Sequence, residues 1–135
     1  MVKVLVVGPS PTRSKGGMAI VIEEIAKDKT LNTKFDIDIY ESYVDGNKLS
    51  VLLFSVFSFI KFYFTKRNYD VYHIHAASYG STFRKGWYVH AAKKWEKKVI
   101  LHIHGAEYML FYEKSNQKDK IISILKEADE VIALS

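Results

Sequence analysis

Cysteine is absent from this chain of 135 residues, and proline occurs only twice. Without thiols the protein forms neither disulfides nor thiolate metal sites, which suits a reducing cytoplasm. The first apolar run, Met1 to Val7, is too short for a signal peptide, and no small-residue cleavage site follows it. These absences exclude a disulfide scaffold and favour a cytoplasmic location.

Several catalytic motifs are also missing. The sequence has neither the G-x-G-x-x-G pattern of dinucleotide-binding enzymes nor the G-x-x-x-x-G-K-[ST] phosphate loop. It has no G-x-S-x-G elbow for a serine hydrolase. A phospho-acceptor receiver domain needs an aspartate at the end of its third strand, where this chain has His75. These four enzyme and signalling classes are therefore disfavoured.

The net charge of +5 and a pI near 9.3 indicate an anionic partner. Nucleic acid is not expected, because no zinc finger, helix-turn-helix pattern or aromatic RNP box accompanies the basic residues. An anionic membrane surface and a phosphate ligand remain, beside a basic surface that is simply solvated.

Apolar segments of strand length alternate with segments of helical periodicity, a pattern typical of βαβ units. Strands are predicted at Val2 to Val7, Phe35 to Tyr40, Asp70 to His75, Lys98 to His104 and Glu130 to Leu134. Helices are predicted at about Gly17 to Lys27, Leu49 to Lys66, Ser81 to Lys94 and Lys118 to Glu127. We expect one α/β domain with a doubly wound parallel sheet of about five strands and helices on both faces.

The second predicted helix is unusually apolar. Between Leu49 and Phe64 its few polar residues, with Thr65, fall on one side of a helical wheel. A membrane span needs about 20 apolar residues, and this shorter run is interrupted by Lys61, so spanning is not expected. Two interpretations remain: a crossover helix buried in the domain, which we favour, or an aromatic face at a bilayer. The membrane-facing residues would be Phe57, Lys61, Lys66 and Arg67, the cations meeting anionic headgroups.

Two adjacent glycines, Gly16 and Gly17, open the first predicted helix after a loop that begins at Gly8. Glycine lets a ligand approach backbone N–H groups closely, and the helix dipole favours an anion at this end. A diphosphate is the natural ligand, and a simple tight turn is the alternative.

Histidines occur in the same His-x-His pattern in two predicted strands, His73 and His75 in one, His102 and His104 in the other. Alternation along a strand places both histidines of each pair on one face of the sheet. Ligands of open parallel sheets bind beyond the carboxyl ends of the strands. We therefore expect His75 and His104 at the crevice, with His73 and His102 packed deeper. A zinc site is the weaker alternative, because no carboxylate or thiolate joins them at usual ligand spacing, and no metal is predicted.

Four segments occur together in a distinctive order: G-P-S-P-T-R-S-K-G-G-M-A, D-V-Y-H-I-H, K-K-V-I-L-H-I-H-G-A-E-Y and E-A-D-E-V-I-A-L-S. Over residues 1–135 the chain resembles the N-terminal, acceptor-side domain of a family 4 glycosyltransferase of GT-B fold, of the bacterial surface-polysaccharide type. That resemblance implies a three-layer Rossmann-like domain. It places Gly16 and Gly17 at the donor diphosphate and His104 beside the transferred sugar as the catalytic residue. His75, Gly105 and Glu107 would lie on the acceptor side of the cleft.

The same resemblance implies transfer of a sugar from a nucleotide-sugar to a saccharide or lipid-linked acceptor in polysaccharide or glycolipid biosynthesis. Such enzymes are usually retaining, metal-independent and without cofactor. The donor-binding C-terminal domain is absent from this chain, so we expect it to be supplied in cis or in trans and the chain alone to be inactive. The expected location is the cytoplasm, peripheral on the inner face of the membrane.

Two other functional classes stay open. One is a non-catalytic membrane-associated or partner-docking subunit of a two-chain glycosyltransferase. The other is an unrelated nucleotide- or metal-binding α/β domain.

Overall fold

A computed structural model describes residues 1–12, 16–77, 80–104 and 108–133 of the chain. Strands and helices alternate from the start. The strands are β1 (Val2–Pro9), β2 (Phe35–Tyr43), β3 (Val71–Ala76), β4 (Lys98–Ile103) and β5 (Glu130–Ala133). The helices are α1 (Gly17–Lys27), α2 (Lys29–Lys34), α3 (Lys48–Thr65), α4 (Gly80–Lys94), α5 (Tyr108–Lys114) and α6 (Lys118–Glu127).

The strands form one parallel sheet in the order β2-β1-β3-β4-β5. Helices flank this sheet, so the predicted α/β fold with a Rossmann-like, three-layer arrangement is confirmed. The strand order reverses between β1 and β3, and in doubly wound sheets this switch point opens a crevice at the carboxyl ends of the strands. The crevice lies where β1 ends at Pro9 and β3 ends at Ala76.

The structure adds to the predicted elements at several places. β1 continues to Pro9 and β2 to Tyr43, both beyond the predicted ends. Two further helices, α2 and α5, have 6 and 7 residues, too short to show a helical repeat in the sequence. Leu134, the predicted end of the last strand, lies outside the described residues.

The two faces of the sheet differ in what they bury. On one face, Tyr72, Ile74 and Leu101 pack with Phe62 of α3 and Tyr88 of α4 in a continuous apolar core. The intervening residues of β3 and β4 are the histidines, which lie on the opposite face. That face is packed by α1, whose Ile22 lies against Gly8 beside His75. The predicted placement of both His-x-His pairs on one face is confirmed by their stacked rings.

The favoured interpretation of α3 as a buried crossover helix is wrong. The small side chains of Ser55 and Ser58 face inward with Phe62, and the hydroxyl of Tyr40 donates a hydrogen bond of 2.6 Å to the carbonyl of Ser58. Most of the apolar residues lie on the outside, in a stripe formed by Leu49, Leu52, Leu53, Val56, Phe57, Ile60 and Phe64. The serines bring the helix backbone close to β2, and aromatic packing around Phe62 holds it there.

The helix α3 has 18 residues with a mean hydropathy of 1.4, long and apolar enough by these measures to cross a membrane, and only 17% of it is buried. A straight helix of this length extends about 27 Å, slightly less than the thickness of a bilayer core.

Candidate functional site

A bulge at the end of β2 positions an aromatic side chain at the crevice. The register of β1 against β2 shifts between Gly8, opposite Glu41, and Pro9, opposite Tyr43. The extra residue, Ser42, is buried and its hydroxyl donates to the carbonyl of Gly8 at 3.1 Å. Bulges of this kind redirect the following side chain. Here the bulge brings Tyr43 beside the end of β1.

The crevice contains a cavity of about 350 Å³, which we call the histidine cavity. It is lined by Pro9, Gly16, Gly17, Met18, Tyr43, Ala77 and His104. Gly16, Gly17 and His104 therefore line one cavity. The resemblance assigned the two glycines to the donor diphosphate and the histidine to the reaction centre. These residues are distant in the chain, since 86 positions separate Gly17 from Ile103, the last residue of β4.

Gly16 and Gly17 start α1 in the way that an anion site requires. Gly16 is the N-cap residue with φ of +118°, a conformation that only glycine adopts without strain. Among the residues that the structure describes, no side chain caps this helix and no acidic residue lies in its first turn. The positive end of the helix dipole lies at the histidine cavity, whose described lining carries no carboxylate.

The histidine cluster, His73, His75, His102 and His104, forms two hydrogen-bonded pairs across β3 and β4. Nε2 of His73 lies 3.1 Å from Nδ1 of His102, and Nδ1 of His75 lies 2.8 Å from Nε2 of His104. His75 is completely buried, so it reaches the cavity only through its bond to His104. The structure thus places His104 at the cavity wall and His75 behind it, as a residue that orients the His104 ring.

Burial holds the cluster in its neutral form. Loss of water, together with a smaller effect of nearby imidazoles, lowers the pKa of His73 and of His104 to about 4. The pKa of His75 falls to about 2, first because of burial and then because of its histidine neighbours. Burial also lowers the pKa of His102. At neutral pH these rings are hydrogen-bonding groups rather than charges.

The cluster also has the spacing of an ion site. His73, His75 and His102 offer ring nitrogens that all lie within 4.8 Å of one another. Nε2 of His75 and Nε2 of His102 are buried without a hydrogen-bond partner. No carboxylate or thiolate joins this group among residues 1–12, 16–77, 80–104 and 108–133. Neutral imidazoles are good ligands for zinc.

Sequence reasoning missed three residues near the crevice. Tyr43 lines the histidine cavity, and the guanidinium carbon of Arg84 lies 5.7 Å from the centre of the Tyr43 ring. Lys85 is only 2% exposed, and burial together with the neighbouring Arg84 lowers its pKa to about 7. From the sequence alone, the adjacent residues Arg84 and Lys85 could be interpreted only as surface charge. The packing of α4 leaves Arg84 half-buried and buries Lys85 fully.

The other predicted site residues are dispersed. Gly105 and Glu107 lie outside the described residues. Phe57, Lys61 and Lys66 line a second cavity of about 510 Å³ between β2 and α3, which we call the helix cavity. Arg67 lies elsewhere, stacked on the rings of Tyr63 and Trp95.

Comparison with known proteins gives a likeness in structure and none in sequence. No described protein family matches the chain, and no curated protein sequence matches it. In architecture it is similar to a conserved protein from Enterococcus faecalis with a known crystal structure. The TM-score is 0.47 at 10% sequence identity, over 99% of this chain and 92% of the other.

Proposed function

We propose that this chain is the acceptor-side domain of a glycosyltransferase that moves a sugar from a nucleotide-sugar to a saccharide or lipid-linked acceptor. The observation that carries the proposal is the histidine cavity, in which an uncapped helix start with glycines faces a neutral, oriented histidine. A second domain, supplied in cis or in trans, would hold most of the nucleotide-sugar.

The geometry supports a division of roles. Departure of a nucleoside diphosphate builds negative charge on phosphate oxygens, and the backbone N–H groups after Gly16 supply fixed dipoles that stabilise it without a metal. His104 contacts the sugar. Its Nε2 is engaged by His75, which leaves Nδ1 as the nitrogen that hydrogen-bonds a sugar hydroxyl. His75 is a positioning residue in this scheme.

The exposed face of α3 supports a peripheral location on an anionic membrane. Its apolar stripe includes Phe57, which is 70% exposed, and Phe64, which is 73% exposed. Lys61 and Lys66 lie at the border of the same helix, in the helix cavity. An amphipathic helix with bulky apolar residues bordered by cations is typical of proteins that lie on acidic lipid. A lipid-linked acceptor would be presented at that surface.

The same face favours one alternative function, a non-catalytic docking subunit of a two-chain transferase. Such a subunit would use α3 on the membrane, and its histidine cavity would play no part in chemistry. The two functions differ in whether turnover depends on His104.

A transfer assay tests the proposal. The native gene product that carries this chain, together with its donor-binding domain, is supplied with nucleotide-sugars and membrane-extracted acceptors. Replacing His104 by Ala should lower turnover about a hundredfold or more, because a positioned group at the reacting centre is lost. The matched control is His90→Ala, which changes an exposed histidine of α4 that pairs with Glu127 at 2.9 Å. Unchanged turnover in His104→Ala, or an equal loss in His90→Ala, contradicts the catalytic role and favours the docking subunit.

A further inference from the structure

The four rings of the histidine cluster form a continuous zigzag across β3 and β4. Starting at the histidine cavity, His104 contacts His75 of β3, which is paired in register with His102 of β4. His102 in turn contacts His73 of β3. Successive ring centres are 5.0, 4.8 and 5.3 Å apart. The zigzag therefore leads away from the cavity along one face of the sheet.

The first and last steps of this zigzag are hydrogen bonds, and the middle step is not. Nε2 of His75 and Nε2 of His102 are both buried, and neither has a hydrogen-bond partner among the described residues. A ring nitrogen of His75 and one of His102 lie within 4.8 Å of each other. One water molecule spans such a distance, because two hydrogen bonds of about 2.8 Å at a tetrahedral angle cover about 4.6 Å. A bridging water would make the zigzag continuous.

The two unpartnered nitrogens indicate a role other than packing. Apolar side chains would fill these positions without leaving a buried nitrogen unpaired, and a buried polar atom without a partner costs free energy. A neutral imidazole has one property that an apolar side chain lacks. It accepts a proton at one ring nitrogen while it releases another proton from the second nitrogen.

The two ends of the zigzag lie in different surroundings. His104 lines the histidine cavity. His73 is half-buried and is not among the described residues that line this cavity, so it meets solvent elsewhere on the sheet face. Closure of an active site around its substrates excludes water. A proton released inside the closed cavity therefore needs a route to solvent through the protein.

From this arrangement we propose that the histidine cluster is a proton relay, which carries the proton of the attacking acceptor hydroxyl from His104 to His73. This inference rests on the proposed function and adds the route of the proton to it. The acceptor oxygen bonds to the anomeric carbon of the transferred sugar, while the bond from that carbon to the diphosphate oxygen breaks. The electron pair of the broken bond leaves with the diphosphate, and the hydroxyl proton goes to Nδ1 of His104.

Each ring releases one proton as it receives another. Nε2 of His104 passes its proton to Nδ1 of His75, and Nε2 of His75 passes one to the bridging water. The water protonates Nε2 of His102, Nδ1 of His102 passes a proton to Nε2 of His73, and Nδ1 of His73 releases one to solvent. All four rings are neutral before and after. When the product has left, the reverse shift restores the rings, and water in the open cavity takes the proton from His104.

The weak basicity of these rings is consistent with a relay. His104 and His73 have pKa values of about 4, so either ring alone is a poor proton acceptor at neutral pH. A relay removes this difficulty, because no ring keeps a second proton.

Single-turnover transfer tests the relay, with the native gene product and its donor-binding domain in excess over a nucleotide-sugar and with membrane-extracted acceptors. His73→Phe keeps a ring at the end of the cluster farthest from the cavity and removes both nitrogens. We expect the transfer rate to fall at least about tenfold, while the half-saturating concentration of acceptor is unchanged because His73 contacts no substrate. The matched control is His90→Phe, which changes an exposed histidine of α4.

Small molecules added to His73→Gly separate proton transfer from packing. Imidazole fits the space of the missing ring and passes protons through its two nitrogens, so it should restore much of the rate. The compound 1-methylimidazole fills the same space, but its methylated nitrogen releases no proton, so it should restore none. The thermal midpoint reports whether each variant is folded, and if one of the two His73 variants is unfolded the other decides.

Two outcomes would overturn the relay. In the first, His73→Phe transfers sugar at the rate of the unaltered protein. In the second, imidazole and 1-methylimidazole restore His73→Gly equally. Either result leaves the proposed function standing if His104→Ala still loses transfer. If the unaltered protein transfers no sugar, the proposed function fails and the relay fails with it, so the two failures are distinguishable.

Discussion

Nδ1 of His75 lies 2.8 Å from Nε2 of His104, and the first residue is wholly buried while the second lines the histidine cavity. A ring held from behind in this way keeps one orientation towards a ligand. The same burial removes water from the whole histidine cluster and depresses its pKa values. Orientation at the cavity and sensitivity to acid therefore have a common cause.

Stability should fall as the pH is lowered from 7 to 5. The unfolded histidines take up protons near pH 6.5, whereas His73 and His104, with pKa values of about 4, stay neutral when folded. The stabilising effect is complete above pH 6.5 and is lost as the pH falls towards 4. Each such histidine contributes up to about 1.4 kcal/mol per pH unit to the free energy of unfolding.

Urea unfolding at pH 7, 6 and 5 measures this slope. The variant His73→Gln should reduce it by about one histidine relative to the unaltered protein. A slope that is the same in both proteins contradicts the assignment to the cluster.

Lys85 should make stability rise with pH in the alkaline range. Its pKa of about 7 lies below that of an unfolded lysine near 10.4, so the unfolded chain binds the extra proton between these values. At lower pH, folding has to bury a charged ammonium or remove its proton. This free-energy cost of folding disappears as the pH rises. We expect Lys85→Met to flatten the increase between pH 7.5 and 9.5 by up to about 1.4 kcal/mol per pH unit. Urea unfolding of both proteins across this pH range measures how the free energy of unfolding changes with pH. Equal slopes in the two proteins would show that Lys85 is charged in the folded state.

Gly8 should be required for the packing of α1. A β-carbon at this position collides with Cδ1 of the buried Ile22 and lies 3.4 Å from Cβ of His75. We expect Gly8→Ala to lower the free energy of unfolding by about 1–3 kcal/mol, the usual cost of overpacking. In an Ile22→Val background, which removes Cδ1, the same change should cost less. Gly17→Ala is the control, because nothing lies within 4 Å of its added carbon. Identical costs of Gly8→Ala in both backgrounds would mean that Ile22 is not the obstacle.

The apolar stripe of α3 should bind anionic vesicles. We expect co-sedimentation with phosphatidylglycerol vesicles at low salt, and about five- to tenfold weaker binding in Phe57→Ser, since a large exposed aromatic is removed from the lipid. Lys61→Gln should weaken binding at low salt and have less effect at high salt. Met109→Ser is the control, because Met109 is 64% exposed on α5 away from this stripe. Absence of vesicle binding at low salt would exclude the membrane role.

The histidine cluster should not retain zinc. The four rings are already hydrogen-bonded to one another in two pairs, and among the described residues no carboxylate joins the cluster to offset a divalent charge. After dialysis against Zn²⁺ and then buffer, atomic emission should find well below one ion per chain. One ion that persists in His90→Ala but is lost in His102→Ala would contradict this prediction.

Local patterns in the sequence were sufficient for most of the fold. Alternation in Asp70 to His75 and in Lys98 to His104 marked two strands, and it placed both histidine pairs on one face because side chains in a strand alternate. The glycine pair predicted the start of α1. The short helices α2 and α5 were not predicted, since one or two turns show too little periodicity in the sequence.

The orientation of α3 could not be read in the same way. Periodicity identified a polar side through Ser55 and Ser58, and a helix normally turns such a side to water. Here Phe62 packs against the rings of Tyr40 and Tyr88, and these contacts hold the polar side of α3 towards the interior. Which face is buried depended on residues in β2 and α4, and not on the helix itself.

The sequence by itself determined the alternation of five strands with four of the helices along the chain, the common face of the histidines and the glycines at the start of α1, because each of these follows from residues close together in the chain. Only the tertiary structure decided that Gly16, Gly17 and His104 share a cavity, that a bulge after Gly8 brings Tyr43 to the same cavity, and that His75 supports His104. Those relationships join separate strands and helices, so they arise only when the parallel sheet brings the carboxyl ends of its strands together.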